Sequence, residues 1–211
     1  MKSFALLLAI ATLLALPATA QIVYENGPIN GNTDAWVINF GFIVADSFTI
    51  STGSTTVTGM SFGAWLEPGD TLQSAEVQIT SEPFGGTIYF QGQVPFTQSG
   101  CVVNQYDYDI CTETGSFKGP TLNNGMYWLD LQNAIDSAGE PVYWDENDGV
   151  GCHSPGCPSE ATENFESIPS EAFSMLGTTS SSGGSVPEPD SLMLFASAVL
   201  GCGALLRRKF F

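Results

Sequence analysis

The chain has 211 residues and a formal net charge of −17, with only 13% charged residues and 43% hydrophobic ones. This length suits one domain with a substantial core. So strong an acidic balance excludes nucleic acid and anionic membrane surfaces as partners, since binding phosphate needs a basic footprint.

Taken from its start, the chain opens on Lys2 and an almost wholly apolar run from Phe4 to Leu16, broken by Pro17 and followed by Ala18-Thr19-Ala20. A charged n-region, an apolar h-region and an A-x-A site in that order read as a secretory signal over 1–20, cleaved after Ala20 through the translocon. The apolar run is too short to span a bilayer comfortably, and the competing reading is a buried helix.

The segment 21–177 reads as all-β, a single β-sandwich or jelly-roll-like domain. Turn residues recur about every ten positions, and between them lie short runs rich in β-branched and aromatic residues. Strands are expected at Ala35–Asn39, Ala45–Ile50, Thr56–Trp65, Thr71–Thr80, Thr87–Phe90, Val142–Trp144 and Glu171–Leu176. Around Leu129 the alternation predicts a half-buried antiparallel strand, with Tyr127, Leu129 and Leu131 inward and Trp128 and Asp130 outward. No long 3.6-residue apolar period and no internal repeat occurs, which favours a two-sheet architecture over a propeller.

From Gln21 to Ser185 the chain carries 20 acidic residues against one basic residue, Lys118, a formal charge of −19. Partners that fit are cations such as Ca²⁺ or neutral polysaccharide; solubility alone would also account for the charge. Cys101, Cys111, Cys152 and Cys157 allow three disulfide connectivities, and proximity favours Cys101–Cys111 with Cys152–Cys157.

The catalytic candidates are weak. Gly59-Met60-Ser61-Phe62-Gly63 fits G-x-S-x-G, but the residues after it run into a turn where a nucleophile elbow needs a helix, and His153 is the only histidine. Cys152-His153 with Cys157 is short of a zinc set and reads as a disulfide loop. With so many acids, no carboxylate pair singles itself out for glycoside hydrolysis. The chain is therefore expected not to be an enzyme and to need no cofactor. Two binding constellations remain. Asp145, Asn147 and Asp148 could donate oxygens to Ca²⁺, against the alternative of a solvated acidic turn. Tyr127, Trp128, Tyr143 and Trp144, with Trp36 and Trp65, could stack on sugars, but at strand spacing they fit a core better.

Past Leu176 come a Ser/Gly-rich linker over 178–185, Val186-Pro187-Glu188-Pro189, an uncharged stretch Ser191–Leu206 and Arg207-Arg208-Lys209. The uncharged stretch reads as an inner-membrane helix over 191–206 with a basic stop-transfer cluster kept cytoplasmic. Its 16 residues rise roughly 24 Å, short of the roughly 30 Å hydrocarbon core, and snorkelling arginines can cover the deficit. The two prolines disfavour helix before Ser191, so a protease can reach the motif. This ordered set over 186–211 resembles the PEP-CTERM sorting signal. The resemblance implies an exosortase-type membrane protease as partner, removal of the tail, and Gram-negative export to the cell surface with association to extracellular polysaccharide or biofilm. The domain, with INGNTDAWVINFGFIVADSFT early and GMYWLDLQNAIDSAGEPVYWDENDG late, also resembles globular domains found ahead of such tails.

Overall fold

The computed structural model describes residues 20–147 and 161–180. Among them the chain is all-β and antiparallel. Thirteen strands form one sheet that curls into a half-barrel.

The strands are β1 (Gln21–Glu25), β2 (Ala35–Val37), β3 (Ile43–Ile50), β4 (Ser54–Leu66), β5 (Leu72–Glu82), β6 (Gly85–Val103), β7 (Asp109–Ser116), β8 (Thr121–Leu122), β9 (Gly125–Asp136), β10 (Tyr143–Asp145), β11 (Ala161–Glu163), β12 (Glu166–Ile168) and β13 (Phe173–Ser180). The main path runs β1-β13-β4-β7-β6-β5-β9-β3-β11-β12, with β10 bridging β2 and β4, and β8 beside β4.

The 19-residue strand β6 makes the curl. Its first half pairs with β5, from Glu82↔Gly85 to Ser74↔Pro95. Its second half pairs with β7, from Phe96↔Gly115 to Val103↔Asp109, with a register shift between Ser99 and Val102. Gly100 within that shift has φ +64°, a bulge conformation that glycine adopts at no steric cost. Cys101 stands beside it and is disulfide-bonded to Cys111 on β7, the local pairing expected from sequence.

The core lies on the concave face. Phe62 is fully buried, meeting Phe96 and Trp144 edge-on at centroid distances of 5.3 and 6.0 Å. Tyr24, Phe48 and Phe173 extend the same cluster. Edge-to-face contacts of this kind add to the area they bury.

Several elements differ from the sequence expectation. The strand around Leu129 is buried on both faces, with Trp128 at 5% and Asp130 at 0% exposure. Tyr127, Leu129 and Leu131 do face the core. The opposite face is covered because the β5–β6 turn lies over it: the Thr80 hydroxyl and the Phe84 main chain both hydrogen-bond Asp130. β1, β7, β8, β11 and β12 were not anticipated. β7 reads DICTETGS, in which glutamate and glycine occupy inward positions that the alternation rule assigns to apolar residues. β13 continues through Ser180, three residues into the segment read as linker, where Thr178, Thr179 and Ser180 pair with Thr56, Thr55 and Ser54. The signal, the sorting tail with its expected helix, and Cys152, His153 and Cys157 lie outside the described residues.

Candidate functional site

The chemistry of the described domain gathers where the ends of β1 and β10 and the entry to β13 meet the middle of β3. Asp46 and Ser47 come from β3, Asp145 ends β10, Glu146 and Asn147 follow it, Asn26 follows β1, and Ser170 and Glu171 precede β13. Asp46, Asp145, Asn26, Asn147 and Glu171 have no exposed surface, and Glu146, Ser170 and Ser47 are each 6% exposed. A bridge between Glu146 and Glu171 and a main-chain bond from Ala172 N to Asp145 O (2.7 Å) hold the β10 exit against the β13 entry.

Each polar group in this nest has a distinct role. Asp46 Oδ2 accepts from Glu171 N at 2.7 Å, Ser170 Oγ at 2.9 Å and Asn26 Nδ2 at 3.0 Å, and its Oδ1 accepts from Ser47 N at 2.7 Å. That pattern favours the ionised form of the carboxylate. Asn147 Nδ2 donates inward to Asn26 O at 2.7 Å. Asp145 accepts from Asn30 N at 2.8 Å, Gly31 N at 3.0 Å and Trp65 Nε1 at 2.7 Å, pinning the loop after β1 to β4. Asp145 and Asn147 are therefore interior groups and not a solvated acidic turn, and their hydrogen bonds serve the fold. Asp148 lies outside the described residues.

Glu171 is different. Neither of its carboxylate oxygens has a hydrogen-bond partner. Burial pushes this carboxyl well above the usual carboxylate range, and the negative charges of Asp46, Glu146, Asp145 and Glu163 push the same way. Composition cannot single Glu171 out among twenty acids. The one usable signal was its place at the start of a predicted strand, where an acid is out of pattern.

Two further carboxyls are raised far from their ordinary range. Glu113 projects from β7 between buried Cys111 and Gly115, and burial raises it to about 7. It lies opposite Gln98 of β6, whose Oε1 is buried without a partner. Directly opposed side chains in an antiparallel pair are close enough to bond, so a protonated Glu113 suits both groups. Burial also raises Asp130 to about 7, against the lowering effect of its bonds from Phe84 and Thr80.

The G-x-S-x-G segment lies wholly inside β4. Ser61 is paired with Ser174 on one side and Thr114 on the other, mid-strand, with no elbow. The two glycines answer to packing. A Cβ on Gly59 would stand 2.5 Å from the Gly115 carbonyl oxygen, and one on Gly63 would stand 2.7 Å from both Asp145 Cβ and Ile29 Cγ2. Most of the aromatic set is interior: Trp144 is fully buried, Trp65, Trp128 and Tyr127 are at most 9% exposed, and Trp36 and Tyr143 are half-buried. A separate shallow groove of about 440 Å³ is lined by Phe40, Gln93, Asn133, Ile135 and Asp136, among others. Phe40 and Asn133 both have positive φ there, and Phe40 is 66% exposed.

Comparison with known proteins adds one match: residues 185–209 fit the PEP-CTERM protein-sorting motif. That span holds Val186, Pro187, Glu188 and Pro189 together with Arg207, Arg208 and Lys209. No curated protein matches the chain. The motif implies an exported chain processed by an exosortase and sorted to the cell surface.

Two predictions come from this geometry. Ser61→Ala is expected to change stability by less than about 0.5 kcal/mol, while Gly63→Ala costs about 1–3 kcal/mol through overpacking against Asp145 and Ile29. Urea denaturation midpoints check both, and equal costs would refute the packing account. The second concerns pH. Glu113 and Asp130 bind protons more tightly folded than unfolded, so their contribution is complete below the ordinary carboxylate range and is lost as pH rises through about 7. Thermal melts should therefore show a lower Tm at pH 8 than at pH 5. Glu113→Gln should flatten the slope.

Proposed function

We propose that the chain is a non-catalytic surface or extracellular-matrix protein, associated with exopolysaccharide or biofilm, whose β-domain is the working body and whose two ends are addresses. The observation that carries this reading is the sorting motif at 185–209. The placement of Ser61 inside a doubly paired strand supports the absence of hydrolase chemistry, and so does the burial of Asp145 and Glu171 beyond reach of a substrate. We read the half-barrel as a sandwich of jelly-roll type. The support is β6, which gives its first half to β5 and its second to β7, so that two layers share one core.

A carbohydrate-binding role is the second reading. It draws little support from the tryptophans, since Trp65, Trp128 and Trp144 are buried and Trp36 is half-buried, and rests on the groove beside Phe40. An exposed ring next to the Gln93 and Asn133 carboxamides is a combination suited to a sugar face and its hydroxyls. Native protein should be retained on the polysaccharide of its own cells and released by Phe40→Ala; no retention of the wild-type chain removes this reading.

The sorting reading is tested by fractionation and mass spectrometry of the native protein. Released protein is expected to start at Gln21, end near Pro189 and lack 191–206, and cells without the sorting protease should retain the tail. Released protein with Phe211 still attached would refute it.

A further inference from the structure

We propose that Glu171, flanked by Asp46 and Glu146, is the anchor of a buried calcium site joining β3, the β10 exit and the β13 entry. The inference uses the folded domain alone, so it stands or falls separately from the sorting reading.

The geometry leaves Glu171 without a satisfactory state of its own. Its side chain is fully buried and both carboxylate oxygens are unpartnered, while its own amide is fixed on Asp46 Oδ2 at 2.7 Å. The bridge to Glu146 brings a third buried acid alongside. A buried carboxylate with no partner costs several kcal/mol. A proton removes the charge but leaves an O–H and a C=O with nothing to bond. Among the described residues Lys118 is the one lysine or arginine, and it is exposed. A bound dication neutralises the local charge and occupies the empty lone pairs together.

The donor set selects the ion. Glu146 and Glu171 offer oxygen only, with amide and hydroxyl oxygens from Asn26 and Ser170 in the same nest beside Asp46. Hard oxygen ligands without thiolate or imidazole suit calcium better than zinc. Calcium also tolerates irregular geometry, whereas magnesium demands a near-ideal octahedron and keeps several waters. Asp145 is excluded as a ligand by its bonds to Asn30, Gly31 and Trp65, and Asp46 by its bonds from Glu171 N, Ser170, Asn26 and Ser47 N. Among the described residues no three acidic, thiol or imidazole side chains already share one coordination sphere. Calcium therefore sits on Glu171 with neutral oxygens of these loops, and a neighbouring carboxylate turns in to complete it.

The test uses the full chain in detergent, stripped with EDTA and exchanged into calcium-free buffer. Titration calorimetry with CaCl₂ is expected to show one ion per chain. Thermal melts should rise by roughly 5 °C or more at calcium 100-fold above Kd, with a smaller rise for MgCl₂. Glu171→Gln should lose the calcium response, weakening affinity beyond the roughly 10–100-fold that follows loss of an outer-shell partner. Should that variant not fold, Glu146→Gln supplies the reading: a roughly 10-fold or greater loss of calcium affinity supports the site, with Glu140→Gln, an exposed acid, unchanged as control. Unaltered affinity in Glu146→Gln overturns the site as drawn. No saturable binding up to about 10 mM, above the weakest extracellular calcium modules, overturns the proposal. So does an identical calcium response in wild type and Glu171→Gln. A folded Glu171→Gln that is more stable than a calcium-blind wild type assigns Glu171 as a neutral acid instead.

Discussion

The domain buries several carboxylates, while among the described residues its one lysine or arginine, Lys118, is exposed. Twenty acids and Lys118 share the segment from Gln21 to Ser185, and Asp46, Glu113, Asp130, Asp145 and Glu171 have no exposed surface. Burying an ion pair can be close to neutral, but burying single carboxylates is expensive unless each is hydrogen-bonded, protonated or bound to a metal. The structure uses the first solution at Asp46 and Asp145, where main-chain N–H groups, an indole and side-chain donors converge. These bonds also do topological work. Asp145 ties the loop after β1 to β4, and Asp46 ties β3 to the entry of β13, so strands distant in sequence are registered by charge-assisted contacts as well as by apolar packing.

That arrangement explains why the sheet can be so long and still close on one core. β6 must change partners midway, and a strand that does so has to twist and bend. The bulge between Ser99 and Val102 supplies the bend, and the bond from Cys101 to Cys111 fixes it next to the core residue Cys111. Phe62 and Phe96 then meet across the bend, and Trp144, delivered by the short strand β10, seals the cluster from the β2 side. Glycine recurs where backbones or side chains come close: Gly59 lies against the Gly115 carbonyl, and Gly63 against Asp145. A pattern that reads as a nucleophile motif in sequence is a close-approach pattern in the sheet.

The all-β class, most strands of the first half of the domain and the Cys101–Cys111 pairing were legible because they rest on local signals. Alternation identified the inward face of Tyr127, Leu129 and Leu131, and turn residues bounded β4 and β5 correctly to within a few positions. What was illegible depends on partners distant in sequence. Trp128 and Asp130 read as solvent-facing because nothing local shows that the β5–β6 turn folds over them. β7 was hidden because Glu113 and Gly115 stand where alternation asks for apolar residues. The acidic nest was hidden for the same reason: Asn26, Asp46, Asp145 and Glu171 are spread over some 145 residues, and only the fold brings them together. The sorting motif was legible in full because it is a linear signal, read by a protease and a membrane rather than by the core.

The placement of the two ends fits a body that has to survive processing. β1 begins at Gln21, the first residue after the expected signal cleavage, and pairs with β13, the last strand, from Gln21↔Gly177 to Glu25↔Ser174. Entry to and exit from the domain thus lie on adjacent strands at one end of the sheet. β1 is the terminal strand of the order, with Ala20 exposed before it, so cutting there removes no ladder bond. At the other end β13 is complete at Ser180, ahead of the matched span at 185–209. The described core residues and the members of the acidic nest all lie between Gln21 and Ser180. The sheet's first and last strands thus pair with each other between the expected signal and the matched sorting motif.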